Sequence, residues 1–125
     1  MLRFLSSLHH SFRAAGRGLV TAFKAERTFR VMAAAGLVVI ILVLNLPLER
    51  WERLSLIGLT GGILVLELLN SMVERLVDLM KPRLSAYVGE VKDLTAAAVL
   101  LASGFAAILA ILILLPHVTT LIGQF

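Results

Sequence analysis

Glu67-Leu-Leu-Asn-Ser-Met-Val-Glu-Arg-Leu-Val-Asp78 closes an apolar run that begins at Leu54, and it sets three carboxylates and an amide into the end of that run. At about 100° per residue, Glu74 and Asp78 fall within roughly 20° of Glu67 around a helix, and Asn70 lies about 60° to one side. All four share one face. A rise of about 1.5 Å per residue spreads them over about 16 Å, from inside a bilayer core to its headgroup edge. Carboxylates at such depth are costly, and an acid inside a membrane is a functional group by default.

The rest of the chain supports a membrane setting. Its 125 residues are 59% hydrophobic and 16% charged, with a mean hydropathy of +0.96, too apolar for a soluble domain of this length. The expectation is one all-α membrane domain over residues 1–125, with three transmembrane helices and an N-terminal amphipathic surface helix. Three spans are too few to enclose a site from all sides, which points to self-association. The absence of cysteine excludes disulfides and thiolate chemistry. A net charge of +4 would also suit nucleic acid, but the basic residues are placed for a membrane surface, and no nucleic-acid partner is expected.

Outward from the opening stretch, residues 54–80 are read as the second span and its aqueous extension, stopped by Lys81-Pro82. Residues 31–48 make the first span, ended at Asn45-Leu-Pro-Leu48, and Glu49-Arg-Trp-Glu-Arg53 is a short polar connection with Trp51 suited to the interfacial belt. Residues 94–115 carry no formal charge, make the third span and end at Pro116. In residues 1–30, Leu5, Leu8, Phe12, Ala15, Leu19, Ala22 and Phe23 recur every three or four positions, opposite Arg3, Ser6, His10, Arg13, Arg17 and Lys24. No long apolar core precedes a small-residue cleavage site, so this is a basic amphipathic helix lying in the interface and not a signal peptide. Gly16 and Gly18 weaken it and are candidates for a bend or a close contact. Gly58 and Gly62 form a GxxxG, and Ala96, Ala97, Ala98, Ala102 and Gly104 a second small-residue face; both are read as helix packing.

Residues 1–30 hold six Lys and Arg, the first connection two, residues 75–92 four and the tail none. Positive-inside then puts the N-terminus and the second connection in the cytoplasm. Glu26, Glu74, Asp78, Glu90, Lys92 and Asp93 gather on that side. Several acids with a lysine among them can hold Mg²⁺ and phosphate oxygens, since Mg²⁺ takes a few carboxylates plus water and substrate phosphate. No Walker A or kinase-type glycine-rich loop is present. The pattern leaves other readings open. Glu74 and Asp78 could be headgroup-level charges paired with Arg75 or Lys81, Asn70 interhelical glue, and Glu26 a salt-bridged member of the Lys24, Arg27, Arg30 face. A small ion-coupled carrier using Glu67 and Glu74 would show ion flux without ATP consumption. A non-catalytic assembly subunit would tolerate neutralisation of Glu67, Glu74 and Asp78 together. His9, His10 and His117 show no ligand spacing.

The Glu67 to Asp78 stretch closely resembles the signature of the small prokaryotic membrane lipid kinases, the diacylglycerol kinase and undecaprenol kinase family. Lys92-Asp93 with the alanine-rich run to Ala98-Val99 resembles that family's second block, and Ala22-Phe-Lys-Ala-Glu26-Arg-Thr-Phe-Arg30, preceded by Gly18-Leu19, resembles a third. The resemblance implies a homotrimer in the bacterial cytoplasmic membrane, with sites shared between protomers on the cytoplasmic side. It implies transfer of the γ-phosphoryl group of ATP to a membrane lipid alcohol, with Mg²⁺. By the same resemblance Glu67 is the general base, Glu26 and Glu74 are metal ligands, and Asn70, Asp78, Lys92, Asp93 and Glu26 line the nucleotide and phosphate site. Ser85-Ala86 replaces a His-Pro pair common in the family, and Met32 stands where one branch has glutamate and another histidine. The run from Phe23 to Arg30 and the Leu115-Pro116 ending look more like the undecaprenol branch, with diacylglycerol as the alternative substrate.

Overall fold

The computed structural model describes residues 2–80 and 85–123, with side chains from Ser6 to Met80 and from Ala86 to Gly123. Over them the chain is four helices and no strand: α1 Leu2–Ala25, α2 Arg27–Asn45, α3 Arg50–Met80 and α4 Ser85–Ile122. α2, α3 and α4 are each long and apolar enough to cross a membrane. At about 1.5 Å per residue α2 matches a hydrocarbon core of about 30 Å, whereas α3 and α4 exceed it and carry their charged turns beyond it. α3 is central and packs on both α2 and α4, while α1 packs on α2. The expected stop at Lys81-Pro82 lies outside the described residues, as does the side chain of Ser85; α4 already includes Ser85 in its backbone.

α1 keeps Phe12, Leu19, Val20 and Phe23 exposed, an apolar face that the chain itself leaves uncovered. It runs unbroken through Gly16 and Gly18, where an added methyl would meet nothing. The break comes at Glu26, whose extended backbone (φ −104°, ψ 110°) makes it the N-cap of α2. Residues 27–30, expected in the surface helix, are therefore the first turn of α2. The elbow is held from both sides. The Arg30 guanidinium donates to the carbonyls of Phe23 (2.8 Å) and Lys24 (3.2 Å), which lie in the last turn of α1. Phe29 is buried and meets Phe23 edge to face, ring centres 5.1 Å apart.

At the other end of the bundle, α2 stops two residues before Pro47, and Val43, Leu46, Leu48 and Leu56 form a buried cluster against Ile113, Leu114 and Val118 of α4. The Glu49 to Arg53 segment is mostly the opening turn of α3. Glu52 Oε2 accepts the Glu49 N–H at 2.7 Å, the reciprocal half of a capping box, and Arg53 Nε donates to the Leu48 carbonyl at 3.2 Å. His117 Nε2 stands 3.5 Å from Glu52 Oε2 and ties α4 to that turn.

A further expectation differs from what is observed. Pro116 does not end α4, which continues to Ile122. The missing Pro116 N–H frees the Leu112 carbonyl, whereas the Thr119 and Thr120 hydroxyls bond the Leu115 and Pro116 carbonyls in the turn that follows. α4 is held past the proline by Ile113, Leu114 and Val118, which pack on the cluster of Val43, Leu46, Leu48 and Leu56. Within one chain the glycine that packs closely is not one of the GxxxG pair. Within this chain Gly58, Gly62 and Gly104 meet nothing, and Ala96, Ala97 and Ala98 are exposed. The close approach is at Gly36, where a Cβ would stand 2.7 Å from Thr60 Cγ2, so α2 and α3 touch through a residue with no side chain.

Candidate active site

Burial along α3 follows the spacing of its acids. Glu67 is 3% exposed, Ser71 is buried, Asn70 and Glu74 are half-buried, and the Asp78 side chain is 51% exposed. The acid face thus runs from the interior of the bundle to its rim. On the interior side, Leu56, Leu59, Thr60 and Ile63 continue the same face within roughly 100° of arc. They line an apolar cavity of about 350 Å³ with Met32 and Gly36 of α2 and Ser103 and Ala106 of α4. Exposed Ala35 and Ala107 stand at its wall, so it reaches the outer surface of the bundle. Ile63 and Glu67 are one helical turn apart. The carboxyl therefore sits between an apolar hollow and a charged rim.

At the rim α3 reaches both neighbours. Arg75 Nη2 donates to Glu26 Oε1 at 3.0 Å, joining α3 to the α1–α2 elbow. Lys92 Nζ lies 2.6 Å from Asp78 Oδ1, joining it to α4. That hydrogen bond is the main cause holding the Lys92 ammonium above its ordinary pKa, with the nearby charges of Asp78 and Glu74 adding to it. Glu74 and Glu26 are close enough for their charges to act on Glu67. Glu26, Glu67, Glu74, Asp78 and Lys92 are thereby brought to one end of the bundle. Asp93 is exposed on α4, and among the described residues no ion pair or hydrogen bond reaches it.

Asn70 adds a feature with direct chemical meaning. Its Oδ1 is buried and accepts no hydrogen bond, the one such side-chain atom among the described residues. A buried acceptor left unmade costs about 1–3 kcal/mol, which a donor arriving from a ligand would recover. For a divalent cation, no three His, Cys, Asp or Glu side chains converge among the described residues. Glu26 and Glu74 fit Mg²⁺ nonetheless, because that ion commonly takes one or two carboxylates and fills its remaining positions with water and phosphate oxygens.

The ion pairs differ from those that neighbours in sequence suggest. Arg75 was a candidate partner for Glu74 or Asp78, and Glu26 for the neighbouring basic residues, yet the two pair with each other across 49 positions. Asp78 takes Lys92, and its alternative Lys81 lies outside the described residues. His117 had no assigned role and proves to be a structural tie at the far end.

The chain is similar to known proteins over most of its length. Residues 13–114 match the family described as prokaryotic diacylglycerol kinase, a range that contains every candidate residue from Glu26 to Asp93. The chain is 35% identical to the undecaprenol kinase of Bacillus subtilis over 112 residues, 90% of this chain and 91% of that protein. It is 32% identical to the diacylglycerol kinase of Escherichia coli K12 over 108 residues, 84% of this chain and 88% of that protein. It is 36% identical to the diacylglycerol kinase of Synechocystis over 113 residues, 89% of this chain but 64% of that longer protein. With the whole candidate site inside the matched range, this chain belongs to the prokaryotic diacylglycerol kinase family.

Proposed function

We propose that the protein is an ATP-dependent lipid kinase of the bacterial cytoplasmic membrane. It transfers the γ-phosphoryl group to the hydroxyl of a membrane lipid alcohol, with undecaprenol preferred to diacylglycerol. The observation that carries the reading is the position of Glu67, buried on α3 one helical turn beyond Ile63, the last α3 residue of an apolar cavity, on the way to the charged rim. A lipid alcohol needs both surroundings at once. Its chain belongs in the apolar hollow and its hydroxyl beside a proton acceptor, while ATP belongs among the charges of the rim.

Glu67 takes the hydroxyl proton as the oxygen attacks the γ-phosphorus, and the bond to the bridging oxygen breaks to release ADP. The Asn70 Oδ1 accepts a hydrogen bond from the incoming substrate or its bound water, which satisfies an acceptor that the protein leaves open. Lys92, oriented by Asp78, neutralises phosphate charge as it develops. Glu26 and Glu74 hold Mg²⁺, which when bound supplies charge neutralisation on the transferring phosphate. Asp93 lines the nucleotide side from its exposed place on α4.

The positive-inside distribution of Lys and Arg supports a cytoplasmic N-terminus and a cytoplasmic rim. A homotrimer with shared sites is supported by the small-residue faces at Gly58, Gly62 and Ala96 to Ala98, which find no partner within one chain. The undecaprenol preference rests on the Phe23 to Arg30 run and the Leu115-Pro116 ending, and the Bacillus relative covered nearly end to end is consistent with it. Diacylglycerol is the second reading, favoured by the family description and by two of the relatives.

Purified protein in lipid micelles with Mg-ATP, offered undecaprenol and diacylglycerol side by side, tests the proposal. Phosphorylation of a lipid is expected, faster with undecaprenol. No product with either lipid from folded protein would overturn the kinase reading for these substrates, and faster turnover of diacylglycerol would reverse the preference.

A further inference from the structure

Arg75 has no role in the chemistry above, yet its guanidinium bonds the elbow at Glu26 to α3. It follows Glu74 in sequence but points about 80° away from Glu67 around α3, off the acid face. Its guanidinium bonds Glu26 Oε1 at 3.0 Å, and its side chain is 54% exposed. Glu26 is unusual in its own way. As N-cap of α2 its side chain could accept from the unpaired amides of the first turn, the ordinary use of an acid there, yet it makes no such bond. The carboxylate is turned to Arg75 instead, and it lies near enough to Glu67, as does Glu74, for their charges to interact. Arg75 is thus the cation held on the acid most separated in sequence from the others.

We propose that Arg75 is a positioning residue whose guanidinium holds Glu26 in place before nucleotide arrives and is exchanged for the divalent cation that Glu26 binds with the nucleotide. This rests on the reading of Glu26 as a metal ligand. The physical basis is competition for one carboxylate. A half-exposed pair between single charges is weak, so a divalent cation shared by Glu26, Glu74 and phosphate displaces it readily. While the site is empty, the same pair keeps like charges from repelling Glu26 away and keeps the α1–α2 elbow against α3. Release of Arg75 then frees a guanidinium at the rim where phosphate enters.

The test is Mn²⁺ binding to the full-length protein in micelles, without nucleotide or lipid, read from the loss of the free-ion electron paramagnetic resonance signal. Arg75→Gln is expected to tighten Mn²⁺ by about two- to five-fold, the scale of an exposed ion pair, with Arg75→Lys in between. In a Glu26→Gln background, Arg75→Gln is expected to change nothing, which separates exchange at Glu26 from a general gain of negative charge. Unchanged or weaker binding in Arg75→Gln, or equal tightening in both backgrounds, would overturn the exchange while leaving Glu26 a ligand. If Glu26→Gln alone leaves Mn²⁺ binding unaltered, both the ligand reading of Glu26 and the exchange fall, whatever the kinase assay shows.

Discussion

Lys92 Nζ and Asp78 Oδ1 stand 2.6 Å apart, and this contact fixes the charged ends of α4 and α3 to each other at the rim of the bundle. Both side chains keep contact with solvent, so the pair contributes less to stability than to where the ammonium points. Lys92→Ala is expected to lower kcat by about 100-fold or more, on the scale of losing one donor to a developing phosphate charge, with little change in thermal stability. Asp78→Asn is expected to be milder. Steady-state kinetics beside thermal unfolding in micelles checks both, and a loss of stability that matches the loss of rate would make the pair structural.

The same contact has a pH signature. Lys92 is held above its ordinary pKa in the folded protein, chiefly by the hydrogen bond to Asp78. A raised folded value means that the stabilisation is fully present below the ordinary lysine value and is lost as pH rises through the raised one. Activity is therefore expected to hold through pH 9 as far as Lys92 is concerned. In Asp78→Asn the alkaline fall is expected at lower pH, and an unmoved profile would detach Lys92 from the titration.

Gly36 and Thr60 define the contact between α2 and α3, because a Cβ at Gly36 would meet the Thr60 methyl at 2.7 Å. Gly36→Ala is expected to cost about 1–3 kcal/mol by overpacking. Adding Thr60→Ser removes the methyl, keeps the hydroxyl that bonds the Leu56 carbonyl, and is expected to restore most of the loss. Unfolding of the single and double variants measures the coupling. Equal stability of wild type and Gly36→Ala would place the helices farther apart than described.

What could be read from the chain, and what could not, divides along the reach of the contacts. The spans and the Glu67, Asn70, Glu74, Asp78 face follow from apolar runs and a helical period, which are local. The break at Glu26 carries no glycine or proline; Phe29 packing on Phe23 and Arg30 bonding the last carbonyls of α1 create it after the chain has folded back. Pro116 reads as a stop because its ring opposes a helix, but Ile113, Leu114 and Val118, on both sides of it, pack on residues of α2 and α3, which a local rule does not weigh. Gly36 stands in no small-residue motif that would mark it, and which face meets a neighbour depends on the rotation of two helices. Arg75 with Glu26, and His117 with Glu52, depend on that same rotation and register.

The apolar cavity beneath Glu67 makes a claim about substrate chains. Ala106→Phe places a ring in a hollow of about 350 Å³ and leaves the charged rim untouched. Turnover of a long-chain lipid alcohol is expected to fall by about ten-fold or more relative to a short-chain one, the effect of losing a few buried methylenes. Initial rates over a chain-length series check this. An equal fall for all lengths would point to a packing defect and not to a chain site.

Glu67→Gln is the most direct measurement. It keeps size and hydrogen-bonding capacity and removes the proton acceptor from a site where the side chain is 3% exposed. Phosphoryl transfer from ATP to lipid, followed in a single turnover, is expected to fall by about 10²–10⁴-fold, the contribution of a general base, while nucleotide binding and assembly persist. Near-normal transfer in the folded variant would remove Glu67 from the role of base.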